Sequence, residues 1–261
     1  MQSETFIANN ITIQTELFEV KLAETISEIE EALRLRFRVF NLEMQEGLRS
    51  SYETGLDSDV YDTFCDHLIV KERATQNIIG TYRLLLKSKA ERGFGFYSEN
   101  EFNLSCFTSV QEEILELGRS CVEKDFRSLA VINLLWRAIT QYSEMHNVKY
   151  LFGCASLHTC NINEIAAAYY YCKKHHAASD AFTVHPVEKC RMQLPEQTEI
   201  DIDDEATFRN LPPLMKGYLR LGAQICGEPA FDADFNTTDF FILVDSKKIS
   251  ERYKSHFVTP K

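Results

Sequence analysis

Between residues 26 and 40 the apolar side chains Ile26, Ile29, Leu33, Phe37 and Phe40 recur at three- or four-residue spacing with charged residues between them. That spacing lays one apolar stripe along a helix. The segment that follows, GLRSSYETGLDSDVYD, is too rich in Gly, Ser and Asp for a helix and reads as a polar, acidic connection. The period then changes. HLIVKE and IIGTYRLLL are strand-like runs separated by the polar ATQN, which predicts a hairpin. ILELGRSCV (Ile114–Val122) predicts another strand, and Ile132–Tyr142 a helix burying Ile132, Leu135, Trp136 and Ile139. YLFGCAS (Tyr150–Ser156) reads as a buried strand, and Asn163–His176 as a helix capped by Asn161 or Asn163.

Beyond His176 the pattern loosens. An acidic loop, TEIDIDDEATF, precedes a proline-started helix in PPLMKGYLRLGA and the strand TDFFILVD, which a short basic helix follows. No internal repeat or flexible linker divides the chain. The order of elements therefore predicts one domain over residues 1–261, of α/β or α+β class, with a mixed, mostly antiparallel sheet flanked by helices. Its core is expected over about 20–195, with an extension from about 196 to the end packed on it.

Composition narrows this picture without changing it. The 261 residues, 44% of them hydrophobic, suffice for one large core, and 18 Phe and 11 Tyr argue against disorder. A net charge of −11 argues against non-specific nucleic-acid binding. No apolar run reaches transmembrane length, and MQSETFIANNITIQ has neither a basic leader nor an apolar signal core. A cytoplasmic protein is expected, with peripheral contact to a membrane surface left open. None of the eight cysteines forms a CxxC pair, so no metal site is expected, and they read as reduced, mostly buried small residues.

Candidate chemistry concentrates in LELGRSCVEKDFRSLAVINLLWRAI (Leu115–Ile139). A strand carrying Glu116 and Arg119 runs to Val122, then a loop of Arg127, Ser128, Leu129, Ala130 and Val131 opens a helix. Such a loop presents free backbone N–H groups and the positive end of the helix dipole, and Arg127 adds a guanidinium suited to phosphate. The GNAT acyltransferases place a strand, an Arg-x-x-Gly-x-Gly/Ala loop and a helix in this succession, and their loop holds the pyrophosphate of coenzyme A. Here Ala130 and Ile132 stand in place of the glycines. The resemblance thus implies a donor with a single phosphodiester, the phosphopantetheine of an acyl carrier protein, met by Val122, Arg127, Ser128 and Ala130, with no bound cofactor.

LRLRFRVF, DSDVYDTFCDHLIV, IIGTYRLL, LELGRSCV, LLWRAI, LFGCAS and PPLMKGYLRLGA…EPAFDADFNTTDFFIL follow the order found in ornithine-lipid N-acyltransferases, which the chain resembles from about Leu33 to Val244. Those bacterial enzymes acylate the α-amine of an amino acid from acyl–acyl carrier protein. They are similar in turn to acyl-homoserine-lactone synthases, which share Arg36 and Phe40, Asp59 and Asp62, Arg83, and Glu116 with Arg119. Glu46 stands where those synthases carry a tryptophan, which turns the expectation away from a lactone product. The resemblance implies a GNAT-like fold and transfer of a long-chain, or 3-hydroxy, acyl group to L-ornithine, giving a lyso-ornithine lipid. Glycine or another amino acid as acceptor is the alternative, and a non-catalytic module binding acyl carrier protein or lipid is a third reading.

Attack of an amine on a thioester needs a base and a donor for the oxyanion. Glu116, in an apolar run where burial would raise its pKa, is expected as the base; its other role is an ion pair with Arg119 or Arg83. Asp59, Asp62 and Asp66 form a carboxylate cluster, and the resemblance implies capture of the substrate ammonium there. A calcium loop lacks its required Gly and Glu, and a solvated acidic loop is the plain alternative. Arg83 or Arg36 is expected either to clamp the substrate carboxylate or to tie Asp59 and Asp62 in place. The histidines show no ligand spacing. Phe37, Val39 and Phe40 line an acyl tunnel or an ordinary core. Docking of an acidic carrier protein would call on Lys124, Arg127, Arg137, Lys173 and Lys174.

Overall fold

A computed structural model describes residues 11–200 and 202–249; the reading of the first ten residues and the end of the basic C-terminal helix lie outside them. In chain order the elements are β1 (Thr12–Gln14), β2 (Phe18–Leu22), α1 (Ile26–Arg36), α2 (Ser51–Thr54), β3 (Asp66–Glu72), β4 (Ile78–Leu86), α3 (Lys87–Ala90), β5 (Phe102–Asn103) and β6 (Glu113–Val122). Then come α4 (Leu129–Met145), β7 (Val148–Leu157), α5 (Ile162–His176), β8 (His185–Pro186), α6 (Asp204–Asn210), α7 (Pro213–Leu221), β9 (Gln224–Ile225), β10 (Ala230–Asp232) and β11 (Thr237–Asp245).

The expected hairpin, the strand before the helix and the buried strand are β3–β4, β6 and β7. The sheet runs β1-β2-β3-β4-β6-β7-β11-β10, with β9 also on β11. Only the β6–β7 pairing is parallel; its other pairings are antiparallel. Strand β11 pairs with β7 over eight residues, so the C-terminal segment supplies an inner strand of the sheet. One face packs on α4, α5 and α7 through Leu135, Ile139, Tyr169, Met215 and Leu219. The other packs on α1 through Ala32 and Leu35, on the turn after it through Val39, and on the 96–110 segment through Phe102 and Phe107.

Several expectations shift. Helix α1 passes into a π-helical turn at Phe37–Glu43, and its buried side is Ala32, Leu33, Leu35 and Arg36, while Ile26 is 78% exposed. A charged residue took the inward position because carboxylates await it there. Val39 is core, and Phe37 packs edge-on against Tyr52. Helix α4 begins three residues earlier than expected, at Leu129 behind the Ser128 cap, which turns Ile132 outward at 38% exposure. Half of the acidic loop is helix α6, capped by Asp203, whose side chain accepts from Glu205 N and Ala206 N. Acidic residues at a helix start suit the dipole, so that composition was a start signal. The pattern also missed β1 and β2 and the short helix α2.

Candidate active site

The site begins with an irregularity in β6. Leu85 pairs with Glu116 and Arg83 with Gly118, but the next partners are Thr81 and Cys121. Arg119 and Ser120 therefore stand against Tyr82 alone, a β-bulge in which Arg119 takes φ 49°. Strict alternation would put Glu116 and Arg119 on opposite faces. The extra residue brings both to the α1 side.

There three arginines meet three aspartates. Arg36 Nε donates to Asp57 Oδ2 at 2.8 Å and its Nη1 to Asp62 Oδ1 at 2.7 Å. Arg83 Nη1 reaches both Asp59 oxygens at 2.7 Å and Asp62 Oδ1 at 3.3 Å. Arg119 Nη2 donates to Asp59 Oδ2 at 3.3 Å, and its guanidinium lies over the rings of Tyr97, at 5.2 Å, and Phe235, at 4.3 Å. Arg36 and Asp57 are fully buried. Burial alone would raise the Asp59 and Asp62 carboxyls; Arg83, and for Asp62 also Arg36, outweigh it and hold both below the ordinary range.

This geometry corrects two expectations. Asp59 and Asp62 are already paired with arginines, the tying role weighed for Arg36 and Arg83. Asp66 leaves the cluster altogether: it accepts from Tyr142 Oη at 2.5 Å and pairs with Lys89 at 2.7 Å. Alternation along β3 explains it, since His67, the neighbour of Asp66, is the residue facing the cluster, with Nε2 3.2 Å from the Asp62 carbonyl. Phe40 lies beside the apolar cluster under α1, and its carbonyl accepts from Glu46 N and Gly47 N.

Glu116 is 4% exposed and pairs with neither Arg83 nor Arg119. Its Oε2 accepts from Tyr97 N at 2.8 Å, and its Oε1 from Ser98 N and Ser98 Oγ at 2.7 and 2.6 Å. Burial raises its pKa, and the hydrogen bonds from Ser98 and Tyr97 oppose that only in part. One lone pair on Oε2 is left by this count.

The parallel pairing of β6 with β7 ends at Glu116 and Phe152. Beyond it no further pairing of β6 with β7 follows among the described residues. Gly153 sits at the fork: a Cβ on it would lie 2.3 Å from the Leu117 carbonyl oxygen. A small apolar cavity at the fork is lined by Leu117, Trp136, Gly153, Cys154 and Tyr218. A larger groove, about 540 Å³, lies at the other end of β7 between Glu112, Thr140, Lys149 and Lys247, and holds none of the candidate residues.

The strand leads on to Val122, whose carbonyl accepts from Arg127 Nε at 3.0 Å. Ser128 caps α4, its side chain accepting from Val131 N, and Ala130 is exposed in the first turn. Arg127 is not the free cation that was expected, because Glu43 holds both its Nη groups at 2.6 and 2.7 Å. Lys174 is likewise paired, with Asp204 at 2.7 Å. Of the cysteines, four are buried, three half-buried and Cys160 exposed; all are free thiols.

Sequence reasoning missed Asp57, Ser98 and a buried group of Glu101, Cys154 and Asp239 on this same face of the sheet. Asp239 did carry a signal, a charge at the head of the apolar run FFILV. Glu101 lies in a stretch without periodicity and carried none.

A sheet whose single parallel pair forks beside a buried glutamate, with a capped helix start just past the fork, defines an acyltransferase of the GNAT class. The GNAT acetyltransferase domain model matches residues 35–137. Among solved structures the fold is similar to that of an N-acyl amino acid synthase from uncultured soil microbes (TM-score 0.52, 9% identity, 93% of this chain and 95% of that one) and of the AHL synthase LasI (TM-score 0.50, 13% identity, 91% of each). The chain is 36% identical to the L-ornithine N(alpha)-acyltransferase of Brucella abortus (92% of this chain, 88% of that one) and 33% to that of Rhodobacter capsulatus (92% and 94%). It belongs to the L-ornithine N(alpha)-acyltransferase family. Among the described residues no helix is long and apolar enough to cross a membrane.

Proposed function

We propose that this enzyme transfers a long-chain acyl group from acyl–acyl carrier protein to the α-amine of L-ornithine. The observation that carries the reading is the buried Glu116 carboxylate at the fork of β6 and β7, with Arg119 turned onto the same face by the bulge. The relatives' shared name supplies the acceptor. In this scheme the α-ammonium gives a proton to Glu116 through its remaining lone pair, directly or by way of a water. The amine nitrogen attacks the thioester carbonyl carbon, and backbone N–H groups at the fork of β6 and β7 would receive the oxyanion. The C–S bond then breaks, and the departing pantetheine thiolate takes the second proton from nitrogen. Arg119, with a buried Nε that lacks an acceptor among the described residues, suits the substrate carboxylate.

The donor reading rests on the start of α4. Ala130 and Ile132 leave the backbone less able to wrap a diphosphate than glycines would, while one phosphodiester fits the helix start. Arg127 would meet it by sharing with, or exchanging from, Glu43. Lys124, Arg137 and Lys173 are the further cations for docking, and such steering weakens with salt. The chemistry needs only a cytoplasmic enzyme touching the membrane surface that receives its product.

Mass spectrometry of purified enzyme with acyl donor and single amino acids tests both parts. N-acylornithine should form, faster from acyl–carrier protein than from acyl-coenzyme A of equal chain length, and salt or R127A should raise the Michaelis constant of the carrier-protein donor. Equal use of acyl-coenzyme A would refute the donor reading; no acylornithine from either donor would refute the acceptor.

A further inference from the structure

Asp59 and Asp62 are neutralised by arginines, so a dibasic acceptor still lacks a partner for its second ammonium. The unused acidic group on the same face is the place to look. Strand β11 sets Asp239 opposite Ser156 of β7, two residues past Cys154. Ligand atoms of Glu101, Cys154 and Asp239 all lie within 4.8 Å of one another. Glu101 is 3% exposed, and among the described residues its carboxylate oxygens have no donor beyond the weak one of the adjacent Cys154 thiol. No ion pair reaches Glu101, Asp232 or Asp239 among those residues either. Cys154 and Ser156 are only half-buried, so the group is not sealed on its β7 side.

We propose that Glu101 and Asp239, with Asp232 beside them, bind the side-chain ammonium of a diamino acid acceptor and so set specificity for it; this rests on the transferase reading above. An alkylammonium brings three N–H donors, and Glu101 alone offers two oxygens. The approach is walled for a short aliphatic chain. Arg119 lies over both the Tyr97 and Phe235 rings, while Phe235 N donates to Asp232 Oδ1 at 3.3 Å. Tyr97 neighbours Arg119, and burial, with Glu101 and Asp232 adding to it, raises its hydroxyl above the ordinary range, so the ring is close to the acidic group as well. A substrate carboxylate at Arg119 would send its methylenes across these rings toward Glu101, leaving its α-amine at the fork. Burial, then the neighbouring Asp239 and Asp232, push the Glu101 carboxyl far above its ordinary range; burial and Asp232 likewise raise Asp239. Carboxyls gathered without a counter-charge are set to receive one.

The test compares ornithine with norvaline, which has the same carbon chain without the terminal amine, in full-length enzyme with one acyl donor. The wild type should favour ornithine in kcat/KM by on the order of 10²–10⁴, since a site built for a charged group rejects the analogue that lacks it. E101Q and D239N should each cut that ratio to within about tenfold, mainly through the KM for ornithine, with a much smaller change in kcat/KM for norvaline. D239N should also raise Tm near neutral pH, because a buried carboxylate beside other carboxyls is removed, whereas E101Q replaces a carboxyl whose raised pKa already keeps it neutral; each variant stands in if the other fails to fold. Equal losses on both amino acids would assign the group a proton-transfer or structural role and overturn the proposal. So would an unchanged ratio, or a ratio lost to a chelator and restored by zinc. A wild type that acylates neither amino acid refutes the transferase reading, and this inference with it; an ornithine-selective wild type whose variants keep the ratio refutes the inference alone.

Discussion

Replacing Arg36 with methionine puts a number on the buried ion network. Met keeps much of the length of the side chain and removes the guanidinium from a site with no solvent contact. Asp57, itself fully buried, loses its 2.8 Å partner and keeps only Arg119 Nε at 3.7 Å; Asp62 loses a 2.7 Å partner and keeps Arg83 at 3.3 Å. Stranding a buried charge by removing one partner costs about 3–5 kcal/mol. At roughly 2–4 °C per kcal/mol for a chain of this size, Tm should fall by about 6–20 °C. Arg34, two residues away and paired with Glu30 across half-exposed side chains, is the control: R34M should cost about 0–0.5 kcal/mol. Denaturant melts of R36M, D57N and the double variant complete a cycle. The double variant should be more stable than the sum of the singles implies by over about 1 kcal/mol, because D57N removes the stranded charge. An R36M loss within about 0.5 kcal/mol of the control, or an additive cycle, would refute the reasoning.

E116Q should lower turnover by about 10²–10⁴. It should also lose about 1–3 kcal/mol of stability, because an amide NH₂ must face donors from Tyr97 and Ser98; normal kcat in folded E116Q would exclude the base role. Asp239 has a folded pKa above the unfolded value, so the folded chain holds the extra proton and stability falls as pH rises above about 4. D239N should flatten that fall in denaturation midpoints taken from pH 4.5 to 7, and an unchanged slope counts against it. Asp59 and Asp62, depressed by their arginines, give the opposite sign: their contribution is complete above about 4 and is lost as pH falls below it. G153A must push the Leu117 carbonyl away, so it should depress acyl transfer more than it lowers Tm, and normal turnover would show that the fork tolerates spreading.

Period-two and helical patterning made β3, β4, β6, β7, α4, α5 and α7 legible, because each buries an apolar face or run that alternation or helical spacing marks. The α1 register failed, since an inward arginine breaks the apolar stripe and only the tertiary partners Asp57 and Asp62 justify it. Arg36, Asp59, Asp62, Arg83 and Arg119 do come together, as the family resemblance led one to expect, but the pairing among them depends on loop geometry that no spacing encodes. The partners of Glu116 were hidden for the same reason: two of its three donors are backbone N–H groups, which any sequence supplies. Glu101 and Asp239 are 138 positions apart, and only the antiparallel insertion of β11 beside β7 makes them neighbours.

The bulge at Arg119 and Ser120 makes the site depend on how many residues β6 contains as well as on which ones. Removing Ser120 alone would restore plain alternation and swing the Arg119 guanidinium toward α4, while Cys121 would keep its place opposite Thr81. Every side chain named in the site would still be encoded. Substitution scanning, which holds chain length fixed, cannot detect such a dependence; single-residue deletions and insertions walked along β6 would, with the steepest loss of activity where the two strands fall out of step.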